Sequence, residues 1–219
     1  MAAETDPAYV DPYAVDPAPV RDVARWRGAE RARLAALREG LGQAGRAQVS
    51  ERIAAHLARV IAEVLADRGA GPGTVLSGYW PIRSEPDMRP ALAELRGRGV
   101  TIALPVVETR AAPLVFRRWT PGTKLVRGDW NIPVPPPDAD LVTPDIALAP
   151  CLGWTSACFR LGWGGGYFDR TLAVLAPRPF TIGIALAAAR LPTIHPQPHD
   201  IPLDLILTED GVAAARTDR

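Results

Sequence analysis

The chain has 219 residues, a formal net charge of +1 and 22% charged residues. That length suits one α/β domain with a substantial core and is short for two domains. The near-neutral charge offers no basic excess for nucleic acid, and no apolar run reaches the length of a membrane span. We therefore expect a cytoplasmic protein that has neither a nucleic acid nor a membrane as its partner.

The first twenty residues differ in composition from the rest of the chain. Residues 1–20 contain four acidic residues, four prolines and no basic residue. Such a segment buries too little apolar surface to offset the entropy lost on ordering. The composition predicts a disordered tail at 1–20, followed by a single domain at 21–219.

Two helices are predicted next. Residues 21–40 are rich in arginine with sparse apolar positions, which indicates a helix that ends near a glycine. Ser50 is predicted to cap a second, more clearly amphipathic helix, and the glycine-rich segment 69–73 ends it.

Short apolar runs alternate with helical patterns through the remainder of the chain. Strands are predicted at 74–79, 100–107, 114–119, 145–150, 181–185 and 205–208, and helices at 90–98 and 169–175. Strands that alternate with helices favour parallel pairing through crossover connections. The predicted fold is a three-layer, single-domain α/β structure with a largely parallel open sheet flanked by helices.

Residues 160–170 form the most distinctive stretch, because four glycines in five positions run into the start of a helix. Glycines permit positive φ and close ligand approach, and a helix N-terminus presents unpaired N–H groups to anions. Arg160 and Arg170 add charge at both edges. The order of residues matches neither a Walker loop nor a dinucleotide fingerprint. By itself the pattern indicates an anion site or a tight turn without a ligand.

Four segments occur together in one order: residues 79–85, residues 130–133, residues 161–170 after the strand-like 146–150, and residues 199–209. In that order the chain resembles the 5-formyltetrahydrofolate cyclo-ligase family, also called 5,10-methenyltetrahydrofolate synthetases. The resemblance covers residues 21 to about 210.

The resemblance implies a set of site residues. Arg160 and Tyr167 would be catalytic, and Asp169 and Asp200 would hold Mg²⁺. Substrate would contact Tyr79, Glu85, Trp130 and Tyr167. ATP would contact Arg27, Arg160, Leu161, Gly162, Trp163, Gly164, Gly165, Gly166, Tyr167 and Phe168. Asp169 also has a simpler interpretation as a helix N-cap. As a metal ligand, its change to Asn is expected to leave folding normal and to remove most turnover, with partial recovery at high Mg²⁺ if metal affinity is the main defect.

The chain departs from the family pattern at three positions. Val23 stands where the family has a lysine of the first helix, with Arg21 and Arg25 as near neighbours that could replace it. Thr155 replaces a common aspartate, and Cys158 replaces a glycine two residues before Arg160. These changes put the conformation of the glycine loop in question.

The implied reaction is ATP- and Mg²⁺-dependent conversion of 5-formyltetrahydrofolate to 5,10-methenyltetrahydrofolate through a phosphorylated formyl group. The small-molecule partners would be ATP and 5-formyltetrahydrofolate, bound by a monomer or a homodimer. Two alternatives stay open. One is a family member that binds folate or nucleotide without turnover, and the other is an RNA-binding or regulatory offshoot.

Overall fold

The computed structural model describes residues 18–67 and 73–217 of the chain. The helices in this part are α1 (Ala18–Gly40), α2 (Gly42–Asp67), α3 (Arg89–Gly97) and α4 (Tyr167–Val174). The strands are β1 (Val75–Ser77), β2 (Thr101–Val106), β3 (Val115–Arg118), β4 (Val126–Arg127), β5 (Pro133–Val134), β6 (Ile146–Pro150), β7 (Gly153–Trp154), β8 (Arg160–Leu161), β9 (Phe180–Ile184), β10 (Leu205–Thr208) and β11 (Gly211–Ala215). Within the described ranges, no helix combines the length and the apolar character that crossing a membrane requires.

One seven-stranded sheet has the order β11-β10-β9-β6-β1-β2-β3. The inner strands β10, β9, β6, β1 and β2 are parallel to one another, whereas β3 and β11 pair antiparallel at the two edges. The predicted largely parallel α/β sheet is confirmed. The hairpins β4–β5 and β7–β8 were not predicted, because two-residue strands are too short to show a period of two.

Alternating side chains of the central strands build a core on each face of the sheet. Ile146 and Leu148 of β6 join a cluster with the apolar faces of α2 and α3. Ala149, one residue on, lies in a second cluster with Leu34 of α1 and Leu172 of α4. Successive strand residues point to opposite faces, so the helices on both sides give three layers.

The strands β1 and β6 are neighbours at the centre of the sheet. The chain leaves β1 through α3 to reach β2 on one side, and leaves β6 through α4 to reach β9 on the other. In open α/β sheets, ligands bind in the crevice outside the carboxyl ends of strands where the order reverses in this way. The segments that follow β1 and β6 therefore face the same crevice.

Two local expectations changed. Helix α1 begins at Ala18, so the last three residues of the predicted tail are helical, and the rest of that tail lies outside the described residues. The predicted cap at Ser50 is wrong, because α2 begins at Gly42. Gly42 adopts a φ of 62°, a left-handed conformation that redirects the chain between α1 and α2. Ser50 instead lies within α2, where its hydroxyl donates to the Arg46 carbonyl and accepts from the Asp87 amide.

Candidate active site

The glycine loop at residues 162–166 leaves β8 and enters α4. Gly164 and Gly166 adopt φ values of 99° and 64°, which side chains other than glycine disfavour. Gly166 occupies the cap position of α4, and no side chain in the described part of the chain caps that helix. The predicted N-cap role of Asp169 is therefore wrong, since Asp169 lies within the first turn. The first amides of α4 lack a side-chain acceptor next to the exposed Gly164 and Gly165.

Two arginines, from α1 and from α4, hold the glycine loop. Arg31 of α1 donates from Nε to the Gly162 carbonyl at 2.8 Å, and Arg170 of α4 donates from Nη2 to the Gly165 carbonyl at 2.6 Å. A Cβ at Gly164 would lie 3.3 Å from Cζ of Arg31, so this glycine admits the guanidinium. Within the described part of the chain, neither arginine forms an ion pair. In these ranges the loop thus carries two positive charges that no carboxylate contacts directly, although the charge of Asp200 acts on Arg31.

Arg31 is a site residue that the sequence analysis missed. Burial lowers its pKa, and the nearby charge of Arg27 lowers it further. Its spacing from Arg27 could have identified it. Residues four apart lie on the same face of a helix, and Arg31 follows the predicted ATP contact Arg27 by one turn. Arg21 and Arg25, considered as replacements for the missing lysine, are exposed.

Arg27 and Asp200 lie together, but each is occupied by the other. Nη2 of Arg27 approaches Oδ2 of Asp200 at 2.5 Å, and the two side chains are 11% and 10% exposed. Arg27 also donates to the carbonyls of Ile194 and His195. Burial alone would raise the pKa of Asp200, but hydrogen bonds from Arg27 and the Gln197 amide outweigh it and hold that pKa below its ordinary value. The pair ties α1 to the loop before β10.

Arg160 and Asp169 form a second buried ion pair. Two parallel hydrogen bonds of 3.0 Å join the guanidinium to the carboxylate, and the side chains are 7% and 15% exposed. The Ile201 amide also donates to Asp169. Both predicted metal ligands are therefore held by arginine. In the described residues, no group of three or more His, Cys, Asp or Glu side chains is placed to hold a metal ion.

These two carboxylates nevertheless suit Mg²⁺ by their chemistry. Mg²⁺ prefers oxygen ligands and commonly uses one or two carboxylates together with the phosphates of its nucleotide, so a closed protein cluster is not required. Asp169 or Asp200 would have to exchange its arginine for the ion.

Glu85 lies beyond the end of β1 and is only 7% exposed. Its Oε2 accepts from the Ile82 amide at 3.0 Å, and its Oε1 accepts from Nε1 of Trp163 at 2.9 Å. Burial raises the pKa of Glu85, although these two hydrogen bonds oppose the shift. Arg83 stacks on the Trp163 ring at 4.7 Å. The predicted folate carboxylate and the glycine loop are thus joined directly.

Trp130 and Tyr167 also come together, from segments far apart in sequence. Their rings meet edge to face with centroids 5.5 Å apart. Trp130 is 64% exposed, so most of its ring is free for a ligand. The Tyr167 hydroxyl accepts from the Ala111 amide at 3.3 Å, and Arg170 lies over the Tyr167 ring. An aromatic surface therefore borders the glycine loop.

Three predicted contacts fall in or beside the core. Tyr79 is 3% exposed and donates its hydroxyl to the Pro86 carbonyl, so it presents almost no surface to a ligand. Leu161 is 1% exposed. Phe168 is half-buried against the core cluster that contains Leu34 and Leu172, and Arg160 lies over its ring. The apolar character of these residues serves packing, which the motif alone does not distinguish from ligand contact.

The departures at Thr155 and Cys158 fall in the turn of the β7–β8 hairpin. Cys158 is buried and has a φ of 60°, a left-handed conformation that glycine adopts without strain. The hydroxyl of Thr155 accepts from the Phe159 amide at 3.3 Å, and the Cys158 amide donates to the Thr155 carbonyl. The hairpin retains its turn, and Arg160 still reaches Asp169.

Comparison with known proteins agrees with this geometry. The model of the 5-formyltetrahydrofolate cyclo-ligase family matches residues 23–209. A 5-formyltetrahydrofolate cyclo-ligase of Mycolicibacterium smegmatis is 33% identical over 153 residues, or 66% of this chain and 78% of that protein. The enzyme of the same name from Escherichia coli is 29% identical over 134 residues, or 58% and 74% of the two chains.

Solved structures give the same fold. The NMR structure of Aquifex aeolicus 5,10-methenyltetrahydrofolate synthetase has a TM-score of 0.72 at 25% identity, covering 88% of this chain and 94% of the other. A Mycoplasma pneumoniae 5,10-methenyltetrahydrofolate synthetase has a TM-score of 0.64 at 20% identity, covering 84% and 98%, and bears on the fold alone. Because the family model spans most of the sequence, the chain belongs to the 5-formyltetrahydrofolate cyclo-ligase family.

Proposed function

We propose that the protein converts 5-formyltetrahydrofolate to 5,10-methenyltetrahydrofolate, with ATP as phosphoryl donor and Mg²⁺ as cofactor. The observation that carries the proposal is the glycine loop, which two arginines contact; among the described residues neither arginine has an ion-pair partner and no side chain caps the helix that follows. Backbone amides and guanidinium groups of this kind bind phosphate. The loop also borders Trp130, Tyr167 and Glu85, which offer a flat aromatic surface and an acceptor for a ring with N–H donors.

The reaction has to activate a poor electrophile. The formyl oxygen attacks the γ-phosphorus, ADP departs, and the phosphorylated formyl carbon becomes open to attack by N10. Phosphate then leaves with the former formyl oxygen, and N10 loses its proton to give the methenyl bridge. Such transfer depends on positioning and charge stabilisation more than on a protein nucleophile.

Arg31, Arg170 and the first amides of α4 would hold the phosphates, while Trp130 and Glu85 would hold the folate. Tyr167 lies between these groups and would order the two reacting molecules. Asp169 and Asp200 are the candidates for holding Mg²⁺, which when bound neutralises charge on the phosphates. Arg160 would support the transferred phosphoryl group only if its pairing with Asp169 opens.

The test is absorbance of the methenyl product in a mixture of the protein, ATP, MgCl₂ and 5-formyltetrahydrofolate. We expect product only when all four are present. A second candidate, binding without turnover, is favoured by the two ion pairs that occupy the predicted metal carboxylates. Folate binding without folate-dependent ATP hydrolysis would identify a binder, and loss of both binding and turnover would contradict both functions.

A further inference from the structure

Arg38 is a buried arginine whose guanidinium is only partly used. It lies on α1 and is 1% exposed. Its Nη2 donates to the Cys151 carbonyl at 2.5 Å, but Nε and Nη1 have no hydrogen-bond partner among the residues that the structure describes. Across residues 18–67 and 73–217, no carboxylate forms an ion pair with it.

Stability alone does not account for such a residue. Buried donors without acceptors are rare in folded proteins, because each forfeits its hydrogen bonds to water. Replacing a buried charged group by an apolar side chain of similar volume is often neutral or stabilising. A side chain that costs stability and remains unpaired is the kind of group found where a ligand supplies the missing partner.

The position of Arg38 points to which ligand that is. Cys151 directly follows β6, and Glu85 follows β1, so both lie at the central crevice where the strand order reverses. The charges of Arg38 and Glu85 act on each other through the interior, where burial lowers the pKa of Arg38 and raises that of Glu85. Through its bond to the Cys151 carbonyl, Arg38 therefore brings two donors that have no partner among the described residues to the same edge of the sheet as Glu85.

We propose that Arg38 is a substrate-binding residue whose Nε and Nη1 donate to the 4-oxo oxygen of the pterin ring, while Glu85 accepts from the adjacent N3 and 2-amino groups. This inference rests on the proposed function. The lactam edge of a pterin presents one acceptor beside two donors, which complements a guanidinium and a carboxylate that lie at the same edge of the sheet. Trp163 donates to Oε1 of Glu85 in this structure. The pterin ring would either share this oxygen with the indole or displace the indole from it.

The experiment is calorimetric titration of 5-formyltetrahydrofolate into the wild type and Arg38→Met without ATP. We expect a loss of affinity of about 10- to 100-fold, the range for hydrogen bonds from a charged donor. The thermal midpoint should not fall, and affinity for ATP should stay unchanged. Arg33→Met on the exposed face of α1 is the matched control and should bind both ligands normally.

A ligand comparison makes the contact specific. The wild type should prefer the 4-oxo pterin over a 4-amino analogue, and Arg38→Met should lose that preference. Arg38→Lys, which keeps the charge but not the fork, should show the same weakening and covers the case that Arg38→Met does not fold. Unchanged folate affinity in a folded variant overturns the role of Arg38, as does an equal loss of folate and ATP affinity with a lowered midpoint. Failure of the wild type to bind 5-formyltetrahydrofolate instead contradicts the proposed function.

Discussion

The indole Nε1 of Trp163 donates a 2.9 Å hydrogen bond to Oε1 of Glu85. Trp163 belongs to the glycine loop and Glu85 to the segment after β1, so one bond joins the two halves of the proposed site. A ring that binds Glu85 must share this acceptor with the indole or displace it. A folate ring bound at Glu85 would therefore change a hydrogen bond made by the loop that is proposed to hold ATP.

The pH dependence of stability should carry a contribution from Glu85. Its folded-state pKa lies above the ordinary value of 4.5, so the folded protein binds more protons than the unfolded chain as pH rises from that value. Stability from this group is thus present at low pH and is lost as pH rises through the folded pKa.

Glu85→Gln removes this titration; its amide keeps one of the two acceptors of Glu85 and turns the other into a donor, which adds a cost that does not change with pH. Urea unfolding at pH 4.5, 5.5 and 7 should show the variant gaining stability relative to the wild type as pH rises, by about 1.4 kcal/mol for each unit of pKa shift. A constant difference across that range would exclude a buried, titrating Glu85.

Trp130→Ala should weaken folate binding more than ATP binding. The ring is 64% exposed and touches Tyr167 by its edge, so its removal should change the free energy of unfolding by less than about 0.5 kcal/mol. Loss of one aromatic contact corresponds to a folate affinity about 3- to 10-fold lower, measured by titration calorimetry. Trp130→Phe should retain most of the affinity, and equal losses for both ligands would argue against stacking.

Asp169→Asn should be strongly destabilised, contrary to the expectation from sequence that it folds normally. The change leaves Arg160 buried at 7% exposure without its counterion. Breaking a buried pair in this way costs about 3–5 kcal/mol. Chemical denaturation measures the loss, and Asp140→Asn, which breaks an exposed pair with Arg118, is the control. A normal unfolding free energy together with lost turnover would restore the simple metal-ligand interpretation.

Arg31→Gln should lower ATP affinity while leaving folate affinity intact. One charge-assisted phosphate contact corresponds to a loss of about 10- to 100-fold. The control is Arg33→Gln. Arg33 lies two residues away on the same helix and pairs with Glu30, so this variant makes the same change of residue type and leaves the contact between Arg31 and the loop in place. If both variants bind ATP like the wild type, the phosphates do not lie against α1.

The sequence allowed the sheet and the glycine loop to be predicted, because both leave local signals. Apolar runs identify the buried strands, and a glycine run before a helix identifies the loop. The strands β1, β2, β6, β9 and β10 were confirmed within a few residues. The four matched segments likewise pointed to the family before any contact was visible.

The contacts within the site could not be predicted in the same way. Whether Arg27 or Arg31 reaches the loop depends on how α1 is rotated against the hairpin β7–β8, which tertiary packing decides. Tyr79 belongs to the matched segment 79–85, yet its side chain is buried. Its hydroxyl can be buried because it donates a hydrogen bond to the carbonyl of Pro86. Pairing between Arg160 and Asp169 needs the full turn of the loop, and spacing alone does not reveal it.

The two buried ion pairs have a consequence for motion. Arg27 with Asp200 joins α1 to the loop before β10, and Arg160 with Asp169 joins β8 to the entry of α4. The Ile201 amide adds a link from that loop to Asp169. Opening α1 or the loop before β10 breaks the Arg27–Asp200 pair, and opening the entry to α4 leaves Arg160 buried without its counterion. Their amide hydrogens should therefore exchange with solvent as one cooperative unit, so that the fold orders the loop before any ligand arrives.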